Sequence, residues 1–445
     1  MNVSRREFIR KTGAIGLAAG GLLPSWDAAG YSRMAGAGER IRVAVIGVNS
    51  RGNALAQNFA GQAQCEVVTV CDVDSRAIEK CVADVKKIQQ KTPKGEKDFR
   101  RALEDKNVDA VVIATPDHWH TPAALLALQA GKHVYLEKPV SHNPREGEML
   151  VEAVARYGKV VQVGTQRRSW PRVREAIRLV QDGAIGKVHF GKGWYVNSRP
   201  GIGTGRATAA PEWLDWDLWQ GPAPRTAYRD NIVHYNWHWF WHWGTAETLN
   251  NGTHIIDLLC WGMNLKYPTK VSSLGGRYFY RDDWETPDTQ TVNFQYGDEA
   301  TLLWEGHSCS GKHIEGGAVG AVFYGDAGSM HISGGNDYRI FDKGGKLVGE
   351  TKSDIAINPQ NRVNPTQQLD AIHIVNFFDA IRKGTRQNVA IEDGHQCALL
   401  MQLANISLRR GKTLDIDPSA GHILGDPEAQ RLWSRSYEPG WEPGV

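Results

Sequence analysis

The chain has few cysteines. Cys65, Cys71, Cys81, Cys260, Cys309 and Cys397 are the only six in 445 residues and include no CxxC pair. That excludes a zinc knuckle and a thioredoxin-like redox motif, and leaves buried free thiols as the expectation. Long apolar runs are also missing. The run at the amino end, Thr12 to Leu23, covers 12 residues, where a membrane-spanning helix needs roughly 18 or more, so no membrane span is expected in the mature protein. An excess of charge of one sign is missing as well. Of 52 Lys/Arg and 49 Asp/Glu, five basic and two acidic side chains lie in the first 37 residues, so the remainder carries 47 of each sign. A nucleic-acid binder needs a basic excess on its folded part, and none is expected as a partner here. Internal repeats are absent, and no carboxylate pair stands out as a conventional glycosidase dyad. What remains is ordinary for a folded protein of two or three domains, with 41% hydrophobic and 23% charged residues. Glycine (48) and tryptophan (16) are plentiful; the first suggests many tight turns, and the second calls for a specific cause.

Ser4-Arg5-Arg6-Glu7-Phe8 precedes the first apolar run, and Ala35-Gly36-Ala37 offers a small-x-small cleavage site. The segment resembles a twin-arginine signal, with Arg10 where lysine is usual. Residues 1–37 are therefore expected to be an export address and the protein periplasmic or exported, the alternatives being an ordinary basic signal or an uncleaved anchor. The twin-arginine route carries folded proteins, often with a cofactor already inside.

Ile41 to Ile46 is a continuous β-branched run suited to a strand buried on both faces, and Gly47-Val48-Asn49-Ser50-Arg51-Gly52 follows it into a helical pattern. Gly47 can form the tight turn and Gly52 can let the helix pack on the strand, so that backbone N–H groups at Asn49, Ser50 and Arg51 would face a pyrophosphate. Asn49 stands where the glycine of closest approach is usual. The next strand, Glu66 to Cys71, ends in Asp72, 20 residues beyond Gly52, where a carboxylate binds ribose hydroxyls and repels a 2′-phosphate. NAD is therefore expected in preference to NADP, with Arg76 placed to stack on adenine or to soften that preference. Strand patterns at Val108–Ile113, His133–Leu136 and Val160–Val163 alternate with helical ones at Thr121–Ala130 and Pro144–Tyr157. This predicts a parallel, doubly wound sheet with its ligand at the carboxyl ends of the strands.

Gly47 to Gly52, Asp72, Ala114-Thr115-Pro116-Asp117-His118-Trp119-His120 and Glu137-Lys138-Pro139, in this order, resemble the Gfo/Idh/MocA (glucose-fructose oxidoreductase-like) family over roughly Arg40 to Asp415. The resemblance implies an α/β protein: an NAD-binding Rossmann domain over 38–165 and a substrate-binding α/β domain with a large, open, mostly antiparallel sheet over 166–415. The Pro/Gly-rich tail that follows, 416–445, carries Trp433, Tyr437 and Trp441 and is expected to be an arm wrapped on its own subunit or on a neighbour. It implies hydride exchange between a nicotinamide and a ring carbon of a sugar or cyclitol, with Lys138 and His254 catalytic and Thr115, Pro116, His120, Glu137 and Lys138 around the cofactor. The family's Asp-x-Gly-x-His motif reads Asn250-Asn251-Gly252-Thr253-His254 here. The acid has become Asn250, which can hydrogen-bond but cannot act as a base. Asp257, one turn beyond His254, would either orient its ring or face solvent.

Between Pro211 and Trp243 lie seven tryptophans, two tyrosines and a phenylalanine. Indoles are good platforms for sugar C–H faces and exclude water, although packing accounts for a share of them. His234, His238 and His242 recur every four residues, but the alternating tryptophans from Trp237 to Trp243 suggest an extended stretch, and no metal site is expected. His238, Tyr195, Arg167, Arg199 and Asn250 are the expected contacts of a carbohydrate or glycoside, together with His254.

Outside the cytoplasm free NAD is scarce, so a tightly held, internally recycled cofactor is expected. Such a cofactor suits sugar oxidoreduction, or else an NAD-dependent glycoside hydrolase that oxidises, eliminates, adds water and reduces. A non-catalytic nucleotide-binding scaffold is the further alternative. Alternating strands at Lys187–Val196, Val271–Tyr278, Thr289–Tyr296, Thr301–Glu305 and Ala321–Tyr324 predict the second sheet, through which a homo-oligomer is expected to form. Helices are expected at Gln367–Arg382 and His395–Arg410.

Overall fold

The computed structural model describes residues 40–352 and 367–445; the expected export segment, 1–37, lies outside the described residues. Strands β1 (Ile41–Ile46), β2 (Cys65–Cys71), β3 (Lys94–Glu96), β4 (Ala110–Ile113), β5 (His133–Leu136) and β6 (Val161–Val163) alternate with helices α1 (Arg51–Ala60), α2 (Ser75–Gln89), α3 (Phe99–Glu104), α4 (Asp117–Gln129) and α5 (Pro144–Tyr157). All strand pairings are parallel, in the order β3-β2-β1-β4-β5-β6. Val43 and Val45 face one apolar cluster with Phe59 and Val112, while Ala44 and Ile46 face another with Ile113 and Leu136, so β1 is buried on both faces. The strand order reverses between β1 and β4, and in such sheets the crevice at that switch point takes the ligand.

Helix α4 begins at Asp117, four residues before its expected start, with an acidic side chain in the first turn where the helix dipole favours it. His118, Trp119 and His120 therefore occupy its first turns rather than a loop. The three-residue edge strand β3 has no hydrophobic period of its own and was not legible.

After α6 (Pro171–Gln181), the chain forms β7 (Val188–Ser198), a short helix α7 (Trp216–Gln220) and α8 (Thr253–Met263). The second sheet is completed by β8 (Lys270–Gly276), β9 (Thr289–Tyr296), β10 (Ala300–His307), β11 (Cys309–Ser310), β12 (Val319–Gly325), β13 (Gly328–Ser333), β14 (Tyr338–Asp342) and β15 (Leu347–Glu350). Helices α9 (Gln367–Lys383) and α10 (Ile391–Arg410) lead to β16 (Leu414–Ile416) and β17 (Ile423–Leu424). The sheet has 11 strands, all antiparallel neighbours except β7 and β10. Leu399, Leu400 and Leu403 of α10 join one continuous cluster with Leu150 and Val163 of the first layer and Phe294 and Trp304 of the second. This apolar seam joins the two layers.

The stretch read as extended from Trp237 to Trp243 is instead a 3-10 turn, Asn236–Trp239, followed by further turns. Alternation failed there because indoles buried on several sides obey no two-residue period. Among the described residues no helix is long and apolar enough to cross a membrane.

Candidate active site

One cavity of about 660 Å³ runs from the turn after β1 to the start of α8. Gly47 turns the chain with φ +81°, and a side chain there would press on Ala114 O at 2.7 Å. At Gly52 an added Cβ would fall 1.7 Å from Gly47 O, so only glycine lets α1 start against the turn. Ser50 caps α1 without a side-chain hydrogen bond, leaving the first N–H groups of the helix for an anion. Asn49, Ser50 and Arg51 line the cavity and Gly52 stands behind them.

Asp72 lies at the same end. Its Oδ2 accepts from Val48 N at 2.6 Å and its Oδ1 from Asp74 N at 3.0 Å, tying the glycine turn to the end of β2. Burial pushes its carboxyl up, against those two donors. Arg76 faces away from the cavity: it pairs with Asp74 at 2.9 Å and lies 3.4 Å over the Trp213 ring. It stacks on protein instead of standing free for adenine.

The β4 and β5 turns meet through His120, whose Nδ1 contacts Pro139 O at 2.5 Å and whose Nε2 contacts Thr115 O at 2.8 Å. Thr115 and Pro116 form the wall beside it, and Thr115 Oγ1 is buried without a partner. Glu137 accepts from Arg51 Nε at 2.8 Å and Gln166 Nε2 at 2.9 Å. Arg51 also reaches Asp370 of α9 at 2.8 Å.

Lys138 Nζ donates to Asn250 O at 2.7 Å and Asn250 Oδ1 at 3.2 Å. Asn250 sits in a single π-helical turn, Thr248–Gly252, that runs into α8, a distortion common at functional sites. Burial lowers the Lys138 ammonium below its usual range, while Glu137, Asp117 and Glu247 oppose that shift. His254, at the start of α8, borders the same cavity with Nδ1 unpartnered among the described residues, and burial holds its ring well below its usual value, hence neutral. Asp257 neither orients His254 nor faces solvent. It is buried and paired with Arg168 at 2.8 Å.

Tyr195, Arg199 and His238 also line the cavity. Arg199 donates to Glu247 at 2.6 Å and to Tyr235 Oη at 2.6 Å. Arg167 does not reach the cavity. It is 1% exposed, behind the wall, donating to Ser333 O and Gly335 O. The three histidines of the aromatic segment diverge: His234 contacts Asp74 at 2.8 Å, His238 Tyr235 O at 2.5 Å, and His242 Pro224 O at 2.8 Å. Of that segment's indoles, Trp219 and Trp237 face the cavity, whereas Trp239 stacks on Trp284 at 4.0 Å inside a separate cluster.

Sequence reasoning did not single out Asp117, Gln166, Asn197, Tyr235 or Glu247 for the site. Asp117 stands inside the quoted β4 motif, and Glu247 precedes Asn250 by three residues, one helical turn. Gln166 follows the carboxyl end of β6, where a ligand is expected, while Asn197 and Tyr235 carry no local signal.

A family model described as oxidoreductase family, NAD-binding Rossmann fold, matches residues 41–165, and its C-terminal alpha/beta domain matches 191–443. The chain belongs to the Gfo/Idh/MocA oxidoreductase family. Among curated relatives, a glycosyl hydrolase family 109 protein of Saccharopolyspora erythraea is 32% identical over 253 residues, 51% of this chain and 55% of the relative. An alpha-N-acetylgalactosaminidase of Tannerella forsythia is 29% identical over 211 residues, 43% of this chain and 44% of the relative. The chain thus spans about half the length of the curated relatives it matches. Among solved structures, levoglucosan dehydrogenase in complex with NADH and levoglucosan superposes with a TM-score of 0.64 at 19% identity, over 84% of this chain and 99% of the other. An oxidoreductase domain protein from Kribbella flavida gives 0.66 at 20%, over 85% and 99%. At these identities the structures establish a shared fold.

Proposed function

We propose that the protein is an exported, NAD-dependent oxidoreductase that acts on a ring carbon of a sugar or cyclitol and keeps and recycles its cofactor. The carrying observation is the single cavity that joins the glycine turn and Asp72 to Lys138 and His254. Its lining suits a dinucleotide: two glycines let α1 start hard against the turn after β1, the first N–H groups of α1 take no side-chain cap, and Asp72 stands where a ribose would bind, in favour of NAD over NADP. When bound, the nicotinamide supplies reversible hydride acceptance, for net sugar oxidoreduction or, with the hydride returned after elimination and hydration, for glycoside hydrolysis.

The chain's own residues do the rest. Lys138, with its amine made easier to deprotonate by burial, takes or returns the proton of the reacting hydroxyl. The neutral ring of His254 hydrogen-bonds that hydroxyl, and Tyr195, Arg199, His238 and Asn250 hold the ring's other oxygens. Trp219 and Trp237 exclude water beside it. The hydrolase is the second reading, favoured by the names of the curated relatives. The domain limits 38–165, 166–415 and 416–445 belong to the same reading, as does subunit pairing through the second sheet, where Leu274 and Leu347 are exposed.

The test is the nucleotide released on denaturing the dialysed protein, followed by incubation of the intact protein with levoglucosan and with 4-nitrophenyl N-acetyl-α-galactosaminide. Near-stoichiometric NAD or NADH is expected, with a redox change on the first or phenol release from the second. A protein that carries and binds no nicotinamide nucleotide overturns the proposal.

A further inference from the structure

The resemblance expects an aspartate where Asn250 stands, and the structure accounts for its loss. Asn250 Oδ1 accepts from the Lys138 ammonium at 3.2 Å while its Nδ2 donates to Glu247 Oε1 at 3.4 Å. The amide is therefore fixed from both sides. Turning it over would set an NH₂ group against an ammonium and an oxygen against a carboxylate. Glu247 is 3% exposed and fully engaged. It accepts from Arg199 Nε at 2.6 Å and Nη2 at 3.2 Å, from Ser308 Oγ at 3.2 Å, and from Asn251 Nδ2.

An aspartate at 250 would place a second buried carboxylate against the first, and one of the two would have to hold a proton. With asparagine there, the negative charge sits one helical turn back and reaches Lys138 through a neutral amide. We infer that Glu247 is the carboxylate that positions Lys138, acting through the side chain of Asn250. It is a positioning residue, and the inference rests on the oxidoreductase reading only for Lys138's task in turnover.

Other charged or titratable groups also face Lys138. Glu137 and Asp117 favour its ammonium and Arg51 opposes it, while His120, His238 and His254 stand around the same cavity. Glu137 is committed to Arg51 and Gln166, and Asp117 to Thr245 Oγ1. Glu247 alone is linked to Lys138 through the group Lys138 donates to. Its second duty lies on the other wall, where it neutralises Arg199 as that guanidinium donates to Tyr235 Oη at 2.6 Å and Tyr195 Oη at 3.4 Å.

The test titrates Lys138 itself in the full chain with its nucleotide as purified. Trace acetic anhydride is applied across the pH range and the Lys138 peptide quantified by mass spectrometry. Glu247→Gln is expected to lower the Lys138 titration by about one pH unit, because a facing negative charge is removed. Asn250→Asp combined with Glu247→Gln moves that charge next to Lys138 and is expected to bring the titration back to the parent value or above it, with at least about a tenfold recovery of any turnover lost in Glu247→Gln.

Equal titration in parent and Glu247→Gln overturns the inference, as does a fall that the double variant fails to reverse. If Glu247→Gln alone does not fold, the double variant and Glu247→Asp carry the test. The double variant titrating a full unit below the parent overturns the inference, as does Glu247→Asp titrating with the parent; a double variant at or above the parent with Glu247→Asp below it, its shorter carboxylate drawn back from Asn250 Nδ2, supports it. A parent that binds nucleotide yet turns over no sugar defeats the oxidoreductase reading and leaves the Lys138 titration to decide this one.

Discussion

The ammonium of Lys138 has exchanged water for two oxygens of one residue, the backbone and side-chain oxygens of Asn250. Two such contacts do not match bulk hydration, so its neutral form is reached at lower pH than for an exposed lysine. Hydroxyl oxidation that needs the neutral amine therefore speeds up as pH rises through that lowered value and levels off before the ordinary lysine range. His254, neutral until well into acid, adds no limb near neutrality. Lys138→Ala is expected to reduce kcat by about 10² to 10⁴ with the thermal midpoint unchanged, and Lys138→Arg, which has no neutral form, should abolish the rising limb. Steady-state rates against pH on whichever probe sugar is turned over check both; an unaltered profile in Lys138→Arg would remove Lys138 from proton transfer.

At the scale of elements, the aromatic segment is a strap over the Asp72 end of the cavity. Asp74 forms an isolated bridge with Leu214, Ser75 N donates to Trp213 O at 3.0 Å, and Asp215 N donates to Val73 O at 3.0 Å. His234 on Asp74 and Trp213 under Arg76 complete the fastening. A segment fastened in this way beside Asp72 and Trp219 is expected to slow the release of a nucleotide bound between them. Removing the His234–Asp74 contact with His234→Ala, a loss of the order of 1.5 kcal/mol, is expected to speed NADH release roughly tenfold, read as the fall of NADH fluorescence on mixing with excess NAD. Release at the parent rate would mean that the strap takes no part in retention.

Across the whole molecule, burial has silenced many histidines. His118, His142, His238 and His254 are held well below their usual value, and His331, His373 and His395 are each brought down to about 4. The unfolded chain protonates these rings near 6.5 while the folded one does not, so stability present above 6.5 is lost as pH falls from 6.5 towards 4. Each ring contributes up to about 1.4 kcal/mol per pH unit crossed. Asp72 and Asp117, raised by burial, act in the opposite sense and offset part of the loss. The urea midpoint is expected to drop steeply between pH 6.5 and 4.5; a flat midpoint would show these rings to be hydrated. The carboxyl-terminal arm runs over the surface beside one of these rings. Arg435 donates to Glu146 at 2.8 Å and His118 O at 2.6 Å, and Trp441 meets Trp119 edge-on at 5.5 Å, so the arm lies on its own chain.

The amino-acid sequence by itself determined the parallel sheet, because strands buried on both faces must be continuous apolar runs and only glycine can form the turn at Gly47. It also pointed to Asp72, Thr115 and Lys138, which line one cavity because in a doubly wound sheet the residues that follow the strands converge on the switch point. The short strands β13 to β15 escaped notice because each is at most six residues long, too brief for alternation to show. Long-range facts were decided by tertiary structure alone. Arg167 and Arg199 look equivalent on paper; one is turned behind the wall onto Ser333 O and the other is drawn to the cavity by Glu247. The meaning of Asn250 depended on a carboxylate one turn away whose direction no pattern encodes. Periodicity reports which face a residue occupies, but which charge a buried side chain meets is set only when separate elements close around it and water is gone.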